Sequence, residues 1–216
     1  MRRTGVLVIA LAVASALLAG AAVSEGSERD LRRAGLVELD ERISLDLRYA
    51  TRRNFTGRRL PGYCEARAYL LGRPARALDL ADRRLRRRGL ALRVYDAYRP
   101  ARATRSMVRW ARRTGNDHLL DGWIARRSNH NRGAAVDVTL VRERDGRPLG
   151  MGTAYDSFSR RSRTRAVRGR ALRNRMRLVR ALEAVGFRNY SGEWWHFDWR
   201  AGRGEPFRDI GIGCRR

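Results

Sequence analysis

One stretch decides how this chain is organised: Ser128-Asn129-His130-Asn131-Arg132-Gly133-Ala134-Ala135-Val136-Asp137. It leads from a loop into a strand predicted over residues 134–141, in which Val136 and Val138 point to one face and Asp137 to the other. His130 approaches from the loop, and Gly133 allows the chain to turn back. An imidazole and a carboxylate that converge in this way are typical of half a zinc site.

A second cluster lies near the carboxyl end, in Glu193-Trp194-Trp195-His196. A catalytic zinc ion keeps three protein ligands and one water molecule, and His130, Asp137 and His196 supply three. Glu193 then remains as a carboxylate that need not bind the metal, as a general base requires. Because residues three apart on a strand point to opposite faces, the chain must bend at Ser191-Gly192 or bulge nearby if Glu193 and His196 share a site.

Arg99 lies in Tyr95-Asp96-Ala97-Tyr98-Arg99-Pro100, where a predicted strand ends and Pro100 stiffens the backbone. A guanidinium fixed there could stabilise a developing oxyanion. The alternative is a salt bridge to Asp96. His118 has no comparable setting and is predicted to lie at the surface.

The remaining elements indicate an α+β fold. Helices are predicted over 74–88, 102–113 and 170–185, each with an apolar stripe or a glycine stop. Strands are predicted over 90–95 and 193–199, and Leu45, Leu47 and Tyr49 share one face of a further strand. Strands and helices do not alternate regularly and no repeat is present, which favours a single α+β domain over a doubly wound sheet.

Composition leaves two interpretations of the charge. The 216 residues carry 48 Lys+Arg, all of them arginine, and a formal net charge of +26. The 43% hydrophobic fraction excludes a chain that is disordered throughout. The charge suggests nucleic-acid binding, with stacking groups in Trp194, Trp195, Phe197 and Trp199, whereas the absence of lysine favours a codon bias.

The amino terminus predicts export. Met1-Arg2-Arg3 precedes an apolar run from Val6 to Val23, and Ala19 and Ala21 form an A-x-A cleavage site. We therefore expect a signal peptide at residues 1–21 and a flexible linker at 22–35; an uncleaved membrane anchor is the alternative. In an oxidising compartment Cys64 and Cys214 are candidates for a disulfide, the alternative being two free thiols.

Taken together, the motifs resemble a known family. Asp96-Ala97-Tyr98-Arg99-Pro100, the stretch Ser128–Asp137 and Glu193–His196 are similar to motifs of the zinc D-alanyl-D-alanine dipeptidases of the VanX type. Residues 47–57 and 151–158 resemble further segments of that branch. The resemblance implies a zinc dipeptidase domain over 36–216, with a small antiparallel sheet, flanking helices and the α+β fold that D,D-peptidases share with the Hedgehog signalling domain.

The resemblance also implies roles for individual residues. His130, Asp137 and His196 match the ligands of one zinc ion, Glu193 the catalytic base and Arg99 the transition-state arginine. Three positions match substrate contacts: Ser128, Asp156 and Tyr49. Asp156 can pair with a substrate ammonium and Ser128 can donate to its carboxylate. The alternatives are a turn residue for Asp156 and a core aromatic residue for Tyr49.

The implied reaction is hydrolysis of D-alanyl-D-alanine to two D-alanine molecules, in wall turnover or D-alanine salvage outside the cytoplasm. A zinc D,D-carboxypeptidase that trims peptidoglycan stems is the nearest alternative and has no need of an ammonium partner. A nucleic-acid-binding protein and a zinc-fold binder without activity are more distant. No nucleic-acid partner and, after signal cleavage, no membrane span are expected, but the basic surface is expected to favour anionic wall polymers.

Overall fold

The computed structural model describes residues 27–214, so the predicted signal peptide lies outside the described residues. The described strands are β1 (Leu36–Glu38), β2 (Ser44–Leu45), β3 (Tyr69–Leu71), β4 (Leu90–Asp96), β5 (Ala135–Arg142), β6 (Phe187–Asn189) and β7 (His196–Trp199). The helices are α1, described over 27–33, then α2 (Gly72–Arg86), α3 (Ala101–Arg113) and α4 (Gly169–Glu183).

The main sheet has five strands in the order β2-β4-β5-β7-β6. Its neighbours are antiparallel except for the parallel edge pair β2–β4, and β1 and β3 form a separate antiparallel pair. The prediction of one α+β domain with a small, mainly antiparallel sheet and flanking helices is confirmed.

The helices follow the predicted apolar stripes. In α2, Leu78, Ala81 and Leu85 are buried against the sheet, and the helix stops before Gly89, whose φ of 69° suits glycine. In α4, Leu178 and Leu182 are fully buried. These apolar stripes cover one side of the sheet. The ends of β4, β5 and β7 are left uncovered, and the cavity described below opens there.

The two central strands bring chemical groups together at one end of the sheet. The pairing of β4 with β5 shifts between Val94 and Asp96, and beyond this irregularity Asp96 lies opposite Asp137. On the other side of β5, Asp137 lies opposite His196 of β7. Three polar residues from three strands therefore meet across the sheet.

Three predicted elements differ in the structure. The strand expected to reach Tyr49 ends at Leu45, because the chain leaves the sheet and Tyr49 lies in a buried 3-10 turn, Arg48–Ala50. Within the predicted linker, residues 27–33 form helix α1, in which Leu31 is fully buried in the core. The last strand begins only at His196, after a turn through residues 190–193.

Cys64 and Cys214 form a disulfide with Cα atoms 5.0 Å apart. Next to it, the Cys64 N–H donates to the Ile212 carbonyl and the Ile212 N–H donates to the Gly62 carbonyl, at 3.0 and 2.8 Å. The carboxyl-terminal segment is thereby fixed to the loop that precedes β3. Across residues 27–214, none of the helices combines the length and apolar character needed to span a bilayer.

Candidate active site

A cavity of about 390 Å³ opens at the end of the sheet where β4, β5 and β7 meet. Its lining includes all eight residues that the sequence singled out as candidate metal, catalytic or substrate residues: Tyr49, Arg99, Ser128, His130, Asp137, Asp156, Glu193 and His196. The structure therefore places them around one space. His118, by contrast, is exposed in the turn Asp117–Leu120, as predicted.

A 3-10 turn, Asn129–Arg132, holds His130 at the cavity. Ser128 caps the turn: its hydroxyl accepts the His130 N–H at 3.3 Å, while its own N–H donates to the Asn131 side chain. Gly133 ends the turn with φ of 71°, and a Cβ there would come within 2.3 Å of Leu36. Only glycine satisfies both the backbone angle and the close approach.

Three atoms face one another in a small triangle. His130 Nε2 lies 3.2 Å from Asp137 Oδ1 and 3.1 Å from His196 Nδ1, and the latter two atoms are 3.0 Å apart. Ligands at zinc distances of 2.0–2.2 Å in a tetrahedron would lie roughly 3.3–3.6 Å from each other. The triangle therefore has nearly the size that a tetrahedral zinc ion requires.

The other nitrogen of each imidazole already has a partner. His130 Nδ1 lies 2.6 Å from the Ala97 carbonyl, which can only accept, and His196 Nε2 lies 3.1 Å from Asp198 Oδ1. Asn129 in turn donates to Asp198 at 3.0 Å. If both histidines are neutral, these contacts place their protons away from the triangle, so three lone pairs face one point. Such a set fits a cation.

The electrostatics of the cluster also favour positive charge. Burial opposes ionisation of Asp137, but His130 and His196 hold the pKa of its carboxyl below the ordinary value. Burial lowers the pKa of His196, yet Asp137 and Asp198 outweigh it and raise that pKa well above the usual range. A metal ion would supply this positive charge without a proton.

A turn directs Glu193 into the same cavity. The Glu193 N–H donates to the Tyr190 carbonyl at 3.0 Å, and the His196 N–H donates to the Glu193 carbonyl at 3.3 Å. Trp194 and Trp195 are buried between them. This is the bend that the sequence required. Burial raises the pKa of Glu193 to about 7, where a carboxyl can both take up and release a proton near neutral pH.

Arg99 is fixed beside the triangle by a buried carboxylate. Its Nε and Nη2 atoms each lie 2.8 Å from Asp96 Oδ2, and Nη2 is 3.9 Å from Asp137 Oδ2. Tyr63 donates to the other oxygen of Asp96 at 2.5 Å. The salt bridge to Asp96, which was the alternative role for Arg99, is therefore present, and it holds the guanidinium at the cavity.

Asp156 and Tyr49 lie together in the cavity lining, and the Arg99 guanidinium lies over the Tyr49 ring, 4.9 Å from its centroid. The Tyr49 hydroxyl is 3.1 and 3.0 Å from the two Asp156 oxygens. Asp156 adopts φ of 56°, the left-handed region that Asp tolerates better than most residues. Burial, together with the charges of Asp137 and Glu193, raises its pKa well above the ordinary value. A cationic partner would therefore stabilise the ionised form of this carboxyl.

Three residues were not singled out from the sequence as site residues. Asp198 orients His196, Asp96 anchors Arg99, and the Tyr155 hydroxyl lies 2.9 Å from Asp137 Oδ2. Asp198 follows His196 by two positions and so shares its face of the strand, a signal that was available. The contact of Tyr155 depends on tertiary packing.

The aromatic residues that nucleic-acid binding would use are not free to stack on bases. Trp194, Trp195 and Phe197 are all buried. Trp199 is half-buried and packs against Phe187, with ring centroids 5.2 Å apart. Stacking on single strands needs exposed rings.

Comparison with known proteins finds a matching family, curated relatives and a solved structure with some similarity. The peptidase M15 family, described as D-ala-D-ala dipeptidase, matches residues 32–207. The chain is 33% identical to a D-alanyl-D-alanine dipeptidase of Enterococcus faecium, over 75% of this chain and 88% of the relative. It is 34% identical to one of Streptomyces coelicolor, over 74% and 87%. Among solved structures, the LdcB LD-carboxypeptidase matches with a TM-score of 0.48 and 15% identity, over 82% of this chain and 69% of that one.

Proposed function

Because this chain belongs to the D-Ala-D-Ala dipeptidase family of M15 metallopeptidases, we propose that it hydrolyses D-alanyl-D-alanine to two molecules of D-alanine. The observation that carries the proposal is the triangle of His130, Asp137 and His196 beside Glu193 and Arg99 in one cavity. A binding protein of this fold without catalytic activity would not need Glu193 or Arg99 in the cavity.

The metal is proposed to be one zinc ion held by His130 Nε2, Asp137 Oδ1 and His196 Nδ1. Two imidazoles and one carboxylate are a ligand set that zinc accepts, and three protein ligands leave a position for water or substrate. When bound, zinc polarises the peptide carbonyl and acidifies a water molecule.

Glu193 is proposed as the general base and then as the general acid. Its carboxylate faces the cavity from the turn before β7 and is not part of the triangle. It would take a proton from the attacking water and pass it to the amine of the leaving D-alanine. Burial raises the pKa of this carboxyl in the metal-free site, which favours uptake of the proton from water.

Arg99 is proposed to stabilise the oxyanion. Asp96 and Tyr63 fix the guanidinium before substrate binds, so little reorganisation is needed as the charge develops. Asp96 accepts from one edge of the Arg99 guanidinium, through Nε and Nη2. On the other edge, Arg99 Nη1 has one hydrogen-bond partner among the described residues, the Met107 sulfur at 3.5 Å. That group has donors to offer to the substrate.

The two ends of the dipeptide are proposed to meet different residues. Asp156, assisted by Tyr49, would pair with the free ammonium, and this pair relieves the cost of a buried charge. Ser128 accepts a backbone N–H through its oxygen, so its hydroxyl proton is available for the substrate carboxylate.

The protein is further proposed to act outside the cytoplasm, on the strength of residues 1–21 and of the disulfide, which persists in oxidising compartments. Between Ser157 and Leu182 the sequence has no carboxylate, and the exposed arginines there are Arg160, Arg161, Arg163, Arg165, Arg168, Arg170, Arg173, Arg177 and Arg180. This surface is proposed to associate with anionic wall polymers. Cell fractionation, and sedimentation with purified walls at rising salt, test the two proposals; a cytoplasmic protein or salt-independent sedimentation contradicts them.

The central experiment measures D-alanine release from D-alanyl-D-alanine together with zinc content. Wild type should contain one zinc per chain and release D-alanine. Glu193→Gln should keep the zinc and lose turnover by about 10²–10⁴-fold, whereas Glu183→Gln, at an exposed position outside the cavity lining, should behave as wild type. Normal turnover by Glu193→Gln would contradict the assignment of the base.

An N-acylated dipeptide separates this proposal from the carboxypeptidase alternative. Acylation removes the ammonium that Asp156 would bind and leaves the scissile bond unchanged. A dipeptidase should prefer the free dipeptide. Preference for the acylated form would instead indicate a D,D-carboxypeptidase that acts on longer peptides.

A further inference from the structure

We infer that Tyr155 is a positioning residue for the metal site: its hydroxyl holds the second oxygen of Asp137, so that the first oxygen stays directed at the metal. The inference rests on the proposed metal site, and it assigns a role to a side chain that is not itself a ligand. Tyr155 Oη lies 2.9 Å from Asp137 Oδ2.

The two oxygens of Asp137 have separate surroundings. Oδ1 lies 3.2 and 3.0 Å from the facing nitrogens of His130 and His196. Oδ2 points away from them, toward Tyr155 and, at 3.9 Å, Arg99 Nη2. Without a partner on Oδ2, the carboxylate could rotate about its last side-chain bond and share both oxygens with the metal. A hydroxyl at hydrogen-bond distance opposes that rotation.

The ring that carries this hydroxyl is firmly held. Tyr155 stacks on Tyr95, with ring centroids 4.5 Å apart and an interplanar angle of 22°, and meets the edge of Trp195 at 5.4 Å. The residue is buried, so its ring has little freedom to move. A fixed donor can orient a ligand in a way that a mobile water cannot.

The same hydroxyl also contacts the proposed substrate site. Tyr155 Oη lies 3.1 Å from Tyr49 Oη, which contacts both oxygens of Asp156. The side chains of Asp137, Tyr155, Tyr49 and Asp156 form a row with three contacts between neighbours. The two tyrosine hydroxyls have only two protons, so they cannot donate a hydrogen bond at all three contacts. Donation to Asp137, the ionised acceptor, is the strongest use of the Tyr155 proton.

Tyr155→Phe tests the inference because it removes only the hydroxyl. Tyr98→Phe is the matched control: Tyr98 is also buried and its hydroxyl also makes two hydrogen bonds, but both are to the main chain of Ile210. The measurements are the zinc dissociation constant by competition with a chelator, the absorption spectrum of the cobalt-substituted proteins, and the denaturant midpoint of each metal-free protein.

Tyr155→Phe should weaken zinc binding by about 10–100-fold, as loss of a group that orients a metal ligand does, and should alter the cobalt spectrum. Tyr98→Phe should change the denaturant midpoint without changing either metal property. Zinc binding by Tyr155→Phe equal to wild type would overturn the inference, even if the protein hydrolyses D-alanyl-D-alanine. If zinc binding weakens but wild type has no dipeptidase activity, the inference stands and the proposed function fails.

Discussion

Loss of the Cys64–Cys214 disulfide should lower the free energy of unfolding without removing the active site. The bridge joins residues 150 apart. For a loop of that length the chain-entropy model gives about 5 kcal/mol, and removal of natural bridges typically costs about 2–5 kcal/mol. Main-chain hydrogen bonds between Ile212 and the segment Gly62–Cys64 persist without the sulfur atoms, so the folded state should keep its arrangement.

The assay is equilibrium unfolding in guanidinium chloride, followed by fluorescence of the buried Trp194 and Trp195. Cys64→Ser, Cys214→Ser and the double variant are compared with oxidised wild type, all metal-free. Each single variant should lose as much stability as the double variant, because either change removes the same bond. Turnover of the zinc-loaded proteins, measured well below the unfolding midpoint, should stay within about twofold of wild type, since a change below ~0.5 kcal/mol is expected at the site.

Two outcomes would refute this reasoning. If oxidised wild type and the double variant unfold at the same denaturant concentration, the bridge either does not form or does not restrict the unfolded chain. The mass of wild type before and after reduction, which differs by two hydrogens when the bridge exists, separates these cases. If the double variant folds but has no activity, the bridge positions Tyr63 and, through Asp96, Arg99.

Further changes test individual groups in the site. His196→Ala should abolish stoichiometric zinc binding, measured by metal analysis of the purified protein, because one corner of the triangle is lost. Arg99→Ala should keep the zinc but lower kcat by about 10²-fold or more in steady-state assays; an unchanged kcat would leave only the salt bridge as its role. Asp156→Asn should raise KM for the free dipeptide about 10–100-fold, because a charge-assisted contact is lost, and should leave KM for the N-acylated dipeptide unchanged. Asparagine tolerates the φ of 56° at this position as aspartate does, so the backbone should not change. The rate should fall as the pH drops through the pKa of Glu193, which is about 7 in the metal-free site and lower beside bound zinc, because the base is active only when ionised. A wild-type rate that stays constant down to the pH at which the metal is lost would contradict this.

Local pattern was enough to single out His130 and Asp137 as candidate ligands. The alternation of Val136, Asp137 and Val138 predicts that the carboxylate points away from the two valines. Asp137 does line the cavity, whereas neither valine does. The helical stripes of α2 and α4 and their glycine stops were equally readable, with ends displaced by one or two residues.

Residues that depend on distant packing could not be read in this way. Tyr49 looks like a strand residue because it alternates with Leu45 and Leu47, but the chain leaves the sheet after Leu45 and places it in a 3-10 turn. Residues 27–33 look like a polar linker, although Leu31 is buried in the core and Ser27 donates to the Gly211 carbonyl. Periodicity describes one element at a time, whereas these positions are decided by partners far away in the sequence.

The pairing of Asp137 with His196 across β5 and β7 would make metal binding at the proposed site a test of correct folding. Side chains alternate along a strand, so a slip of β7 by one residue would set Trp195 or Phe197 opposite Asp137 and turn the imidazole to the other face. A chain with that error still has every ligand in its sequence but cannot gather them around one ion. An ion that binds only the correct form stabilises only that form. If the proposed site holds zinc, the zinc content of a preparation would therefore measure the fraction of molecules whose sheet is correctly paired.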